Sequence, residues 1–312
     1  MSHKVFIDGD VGTTGLLIRK RLELRPEIEL IRLDEAVRKD AAARKAAINA
    51  ADAVILCLPD EAAREAVSLV ENPDVKIIDA STAHRVHEDW AYGFAEMAPG
   101  QRDDIRASKR ISNPGCYATG FIALMRPLVD AGVIPPFWPS TVNAVSGYSG
   151  GGKSMIAEFE DGGTTDNYRI YATGLNHKHL PEMTVFSGLE SPPVFTPAVG
   201  RFAQGMIVEI PLQLWALPDE PELSRLHEIF AAHYAGETFV KVASLEDSKA
   251  TKALDAELLK DTNNLLIHVF GDEDGQQARL VAVLDNLGKG ASGAAVQNLN
   301  LALNLDETIG LI

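Results

Sequence analysis

Cysteine is almost missing from this chain: 312 residues contain two, Cys57 and Cys116. So few thiols in so long a chain exclude a disulfide-built scaffold and point to free cysteines in the cytoplasm. Positive charge is also short, with 29 Lys and Arg against 44 Asp and Glu, a net charge of −15. Such a surface repels polyanions, so nucleic acid is not an expected partner. Any site for a small anion must gather its positive charge locally. No unbroken apolar run reaches the roughly 18 residues that a membrane-spanning helix needs. The opening segment Met1–Ile7 lacks the long apolar stretch of a secretory leader. Internal repeats and low-complexity tracts are absent.

What is present fits a globular protein. Hydrophobic residues make up 46% and charged residues 23%, enough to bury a sizeable core. The length predicts two domains. Strand-like runs at 4–8, 28–33, 53–58 and 75–79 alternate with helical segments at 16–22, 36–50 and 61–70. The 36–50 segment, alanine-rich and charged, reads as a solvated helix. The run Ala53–Leu58 is continuously apolar, as suits a parallel strand covered on both faces. This alternation predicts an α/β fold with a doubly wound parallel sheet at the N-terminal end. After about residue 115 the texture changes. A helix is expected at 119–131, and strands at 140–145, 206–214, 265–270 and 279–284, joined by Gly- and Pro-rich connections. That pattern predicts an α+β domain with a mixed or antiparallel sheet. A final helix at 292–305 carries Val296, Leu299 and Leu303 on one face.

Gly9, Gly12 and Gly15 lie between the first strand and the first helix. Glycine lets backbone N–H groups approach a pyrophosphate, and the following helix N-terminus favours the anion. The spacing Gly-x-x-Gly-x-x-Gly differs from the common Gly-x-Gly-x-x-Gly, but its setting predicts dinucleotide binding. An acid at the end of the second strand favours NAD and a base favours NADP; Asp34 and Arg32 both lie there, so this local sequence leaves the two open.

The segment Ser112-Asn113-Pro114-Gly115-Cys116 places a cysteine just after a Pro-Gly turn and before an apolar helix. A helix N-terminus stabilises a thiolate, and its N–H groups stabilise an oxyanion on an attached acyl carbon. Cys57 lies inside an apolar strand and reads as a small core residue. The proton-transfer partner is expected in Asn176-His177-Lys178-His179-Leu180-Pro181-Glu182. No further cysteine or carboxylate cluster completes a metal site there, so none is expected. Candidate anion-binding cations are Arg85, Lys153 at the end of the glycine-rich Ser146–Lys153, and Arg201. That glycine-rich loop lacks the spacing and the βα setting of an ATP-binding loop.

Together these segments resemble N-acetyl-gamma-glutamyl-phosphate reductases of arginine biosynthesis, in their shorter form, which are related to aspartate-semialdehyde dehydrogenase. The resemblance covers nearly the whole chain. It rests on 9–15, Trp90–Glu96, Ser112–Tyr117, Ser146–Lys153, His177–Glu182 and Asp285–Gln297. One departure lies in the glycine loop, where Asp10 and Thr13 replace the small residues usual in longer members. The resemblance implies a Rossmann-type dinucleotide domain (1–115 and 288–312) and a catalytic and oligomerisation domain (116–287). It implies NADP(H), an acyl-phosphate substrate, and a homodimer or homotetramer. Cys116 becomes the nucleophile, with His179 or His177 as the acid/base and His179 the first choice. Arg85, Asn113, Lys153, Glu182 and Arg201 become substrate contacts. Gly9, Gly12, Thr13, Thr14, Gly15, Arg32, Ser81, Asn286 and Gly290 become cofactor contacts. The alternatives are a reductase of aspartyl phosphate or of an N-acetyl-aminoadipyl phosphate, and a dinucleotide-sensing protein without catalysis.

Overall fold

The computed structural model describes residues 2–311. The chain forms two compact units: Met1–Ala95, Pro99–Gly115 and Ala291–Ile312 make the first, and Glu96–Ala98 with Cys116–Gly290 the second.

In the first unit β1 (His3–Asp8) leads to α1 (Thr13–Leu22), β2 (Ile28–Ile31), α2 (Ala41–Ala50), β3 (Ala53–Leu56), α3 (Asp60–Ser68), β4 (Lys76–Asp79), β5 (Ala91–Tyr92), α4 (Gln101–Ala107) and β6 (Arg110–Ser112). The strands form one parallel sheet in the order β2-β1-β3-β4-β6-β5. The order reverses between β1 and β3, so a ligand crevice is expected outside their carboxyl ends. Ala53 through Leu56 are all buried, as the apolar run predicts.

α2 differs from its expected form in two ways. It starts at Ala41, because the Asp40 side chain caps it by accepting from the Ala43 N–H at 2.8 Å. It is also not solvated all round. Ala47 and Ile48 enter the core with Phe6, Val54 and Ile77. Arg44 is buried too, paired with Asp8 at 3.0 Å and Glu65 at 2.9 Å.

The second unit runs through α5 (Cys116–Asp130), β7 (Thr141–Gly147), α6 (Gly152–Glu160), β8 (Tyr168–Ile170), α7 (Leu180–Ser187), β9 (Val194–Gly200), β10 (Met206–Gln213), α8 (Leu223–His233), β11 (Val240–Val242), α9 (Leu245–Ala250), β12 (Leu265–Gly271) and β13 (Gln277–Leu284). Its mixed sheet has the order β11-β12-β13-β10-β7-β9-β8. β9 has no counterpart in the sequence reading, since Pro197 interrupts its pattern. It pairs parallel to β7 along its whole length. α5 packs against β10, where Gly120 allows close approach; a Cβ there would lie 2.7 Å from Val208 Cγ2.

The chain closes with α10 (Gly293–Ala302), back in the first unit. Its one-faced pattern suggests a solvated side, yet every residue of it is buried. The polar ones find partners instead. Asn298 Nδ2 donates to Gly93 O at 2.9 Å, and Arg25 donates to Asn300 Oδ1 at 2.8 Å. Buried polar groups are tolerated on these terms.

Candidate active site

Cys116 is the first residue of α5, three positions earlier than the expected helix start. Pro114 and Gly115 end the connection from β6, and no carboxylate stands in the helix's first turn to offset the positive dipole end. The residue is half-buried. Cys57 follows β3 and has the opposite surroundings. Burial, then the carboxylates of Asp79, Asp8 and Asp10, push its thiol up to about 12. One cysteine is placed for nucleophilic chemistry and the other is held as a thiol.

The two histidines meet beside Tyr117, the residue after Cys116. The Tyr117 ring centroid lies 5.8 Å from that of His177 and 6.0 Å from that of His179. The histidine rings contact each other edge to face at 4.7 Å. Phe195 of β9 packs on Tyr117 and His177 at 5.2 and 5.0 Å. The backbone N–H of His179 donates to His177 Nδ1 at 3.1 Å, so neutral His177 carries its proton on Nε2. That nitrogen faces the Tyr171 hydroxyl at 3.4 Å. Tyr171 and Tyr117 are hydrogen-bonded to each other, and burial raises both phenols above their ordinary value. His179 caps the N-terminal end of α7 and is buried, as is Glu182 one turn on. Sequence reading found the His-x-His pair but missed Tyr171 and Phe195, which belong to no local motif.

A tight turn after β13 backs the cysteine. The Asp285 carboxylate accepts from the N–H groups of Leu287 at 2.9 Å and Asp261 at 2.7 Å, and Gly290 N donates to Asp285 O at 2.9 Å. Burial raises the Asp285 carboxyl above its ordinary value. The Asn286 amide accepts from Gly205 N at 2.7 Å and donates to Ser149 Oγ at 3.0 Å, so it holds the turn to this unit. At Gly290 a Cβ would fall 2.7 Å from Cys116 Cβ. The turn therefore touches Cys116 through bare backbone.

In the first unit the glycine loop shows why its glycines are needed. Gly9 has φ +91°, and a Cβ on Gly15 would lie 2.4 Å from Gly9 O. Gly12 is the N-cap of α1 and offers no side chain to cover Thr13, Thr14 and Gly15. Beside the loop lies a hollow of about 400 Å³. Its wall includes Gly9 and the cations Arg32, Arg38, Lys39 and Arg44, with the carboxylates of Asp8, Asp10 and Glu65; Asp8 and Glu65 are paired with Arg44. Arg38 and Lys39 were not singled out in the sequence, because they fall in what reads as helix. A turn from Asp34, whose carbonyl accepts from the N–H groups of Val37 and Arg38, brings them there.

The remaining candidates do not gather in one place. Arg85 is buried in the first unit, with Nε donating to Asn113 O at 3.1 Å. The Asn113 amide spans Ala291 O and Asn298 Nδ2, each at 3.0 Å. The Ser81 hydroxyl donates to Asp79 Oδ2 at 2.8 Å, where His84 Nδ1 also binds at 2.6 Å. In the second unit Lys153 is exposed near the start of α6. Arg201 donates to the carbonyls of Asp166, Phe159 and Thr164 and so ties down the α6–β8 connection. Among the described residues no group of three or more His, Cys, Asp or Glu is arranged to hold a metal. No described helix is long and apolar enough to cross a membrane.

Comparison with known proteins places the chain in a family. Residues 4–106 match the model for the semialdehyde dehydrogenase NAD binding domain, and residues 116–286 that for the semialdehyde dehydrogenase dimerisation domain. An N-acetyl-gamma-glutamyl-phosphate reductase 2 of Nostoc sp. is 52% identical, the match covering 99% of each chain. An N-acetyl-gamma-glutamyl-phosphate reductase of Brucella ovis is 53% identical over 97% of this chain and 99% of its own. Among solved structures, aspartate semialdehyde dehydrogenase II of Vibrio cholerae, complexed with ASA, has a TM-score of 0.70 at 16% identity, covering 97% of this chain and 99% of that one. Aspartate semialdehyde dehydrogenase with NADP from Candida albicans scores 0.63 at 14% identity, covering 99% and 100%. At those identities the likeness is one of fold.

Proposed function

This chain belongs to the N-acetyl-gamma-glutamyl-phosphate reductases, and from that membership we propose how its residues carry out the reaction. It is an oxidoreductase of arginine biosynthesis that reduces N-acetyl-gamma-glutamyl phosphate to N-acetylglutamate semialdehyde with release of phosphate. The observation that carries the mechanism is the start of α5 at Cys116, with both histidines packed around the adjacent Tyr117.

The Cys116 thiolate attacks the acyl carbon, and the C–O bond to phosphate breaks, leaving a thioester. Phosphate is received by Arg85; Asn113, Lys153, Glu182 and Arg201 are candidate contacts for the rest of the substrate. A bound nicotinamide dinucleotide would supply the hydride that takes this thioester to the aldehyde level. His179 provides the proton for the developing oxyanion and takes it back as the C–S bond breaks, which releases aldehyde and restores the thiolate. His177 is held in one tautomer by the His179 N–H and serves as its support.

The glycine loop fits a dinucleotide, since a side chain at Gly15 would fill the cradle. Gly9, Gly12, Thr13, Thr14 and Gly15 hold its pyrophosphate, with Ser81, Asn286 and Gly290 as further contacts. The cofactor is NADPH. Arg32, Arg38 and Lys39 line the hollow beside the loop in a chain that otherwise carries excess negative charge, which suits a 2′-phosphate. The working form is a homodimer or homotetramer, in keeping with the match to a dimerisation domain.

The test runs the reaction backwards, with N-acetylglutamate semialdehyde or aspartate semialdehyde, phosphate, and NADP or NAD. Selective turnover of the acetylated semialdehyde with NADP, lost in Cys116→Ser, is the expected result. Full activity of Cys116→Ser rules out the thioester, and a preference for NAD rules out the reading of the cationic hollow.

A further inference from the structure

We propose that the buried ion pair between Lys289 and Glu96 positions the nucleophile, by pinning the glycine turn that backs Cys116; the proposal rests on the reductase reading above. Lys289 Nζ donates to both carboxylate oxygens of Glu96, each at 2.8 Å. The two side chains are 2% and 0% exposed. Removing such charges from water costs about as much as their attraction returns, and well-packed apolar residues often serve stability equally well. The place of the pair suggests what else it does.

Lys289 stands between Gly288 and Gly290. A Cβ on the first would lie 2.0 Å from Thr262 O, and on the second 2.7 Å from Cys116 Cβ. The turn is thus threaded at backbone contact between a carbonyl and the nucleophile, with no room for packing side chains at either glycine. Gly288–Ser292 form one turn of π-helix; its two glycines bring no side chains to fix its seat, so anchors outside it set where it lies. Asp285 and Asn286 secure its first half. Gly290 N bonds Asp285 O within the turn, and the neighbouring Lys289 side chain ties this part of the turn to Glu96.

The far end of the anchor is itself fixed. His233, the last residue of α8, directs Nε2–H at the carbonyls of Glu96 and Met97, at 3.3 and 3.1 Å. The ring of Phe239 lies 5.7 Å from Lys289 Nζ, adding a cation–π contact. A rigid chain of contacts therefore runs from α8 through Glu96 and Lys289 to the backbone against Cys116. A displacement of about 1 Å at a reacting group costs on the order of a hundredfold in rate.

The test replaces the pair together, as Glu96→Leu/Lys289→Met, so that no lone charge stays buried. Reverse-direction kcat and KM are measured beside the rate of Cys116 alkylation by iodoacetamide, which needs the thiolate but not the turn. The expected result is a kcat lower by about 10- to 100-fold, with KM and alkylation within about threefold of wild type. Wild-type kcat in the double variant overturns the proposal, and so does an equal loss of alkylation, which would mean that the helix end itself had been disturbed. If the double variant does not fold, Glu96→Asp decides, since it keeps the charge and shortens the anchor. A kcat reduced by about threefold or more with unchanged alkylation supports positioning; an unchanged kcat overturns it. A wild-type enzyme without reductase turnover defeats the assigned reaction instead.

Discussion

The backbone N–H of His179 donates to Nδ1 of His177 at 3.1 Å. That bond needs a lone pair on Nδ1, so the neutral ring holds its hydrogen on Nε2. This geometry supports the proposed role of His179 as the histidine that exchanges protons during turnover. His179→Asn is expected to lower kcat by about 10²- to 10⁴-fold and to remove the histidine limb from the pH profile of kcat/KM. His177→Asn is expected to cost about tenfold and to leave that limb in place. If the limb disappears with His177 and persists without His179, the roles are reversed.

Selective labelling provides a check on the two thiols. Cys57, pushed up to about 12, is almost wholly protonated near neutral pH. Cys116, at the start of α5, is the thiol exposed to the helix dipole. Iodoacetamide at limiting concentration near pH 7 is expected to mark the Cys116 peptide alone, as read by mass spectrometry. Cys57→Ser should keep wild-type turnover. Equal labelling of both peptides in the folded protein would contradict this picture.

Stability is expected to depend on pH through two histidines outside the site. Burial lowers both His233 and His268 from the ordinary value of 6.5. The unfolded chain therefore binds protons at these positions more readily than the folded one. Their contribution is complete above that ordinary value and is lost as pH falls below it. Amide exchange in α8 and β12 should speed up as pH is lowered from about 7 to about 5, after correction for intrinsic rates. His233→Gln and His268→Gln should each flatten the trend. Asp8 and Asp285, raised above 3.8 by burial, act with the opposite sign just above that value. An exchange profile independent of pH across that range would remove the histidines from the account.

Much of the first unit was legible because its signals are local. An apolar run such as Ala53–Leu56 suits only a covered strand, and Gly9 through Gly15 must turn tightly between strand and helix. The setting of Cys116 was legible for the same reason, since a Pro-Gly turn before an apolar helix is written in adjacent residues. The helix start still lay three positions earlier than composition suggested, which puts Cys116 on the first turn itself.

The sequence by itself determined the two fold classes, the glycine cradle, Cys116 as the apt thiol and the pair His177 and His179. Tertiary structure decided the surroundings of each of these groups. The tautomer of His177 depends on a backbone N–H two residues away and on Tyr171. The burial of Arg44 depends on Asp8 and Glu65, and that of Lys289 on Glu96, 193 positions away in the chain. The physical reason is that a charge or a ring nitrogen takes its state from the groups facing it, and those groups come from distant segments. Local spacing can say which residues are able to react; only their packed neighbours fix which of them holds the proton, the charge or the turn.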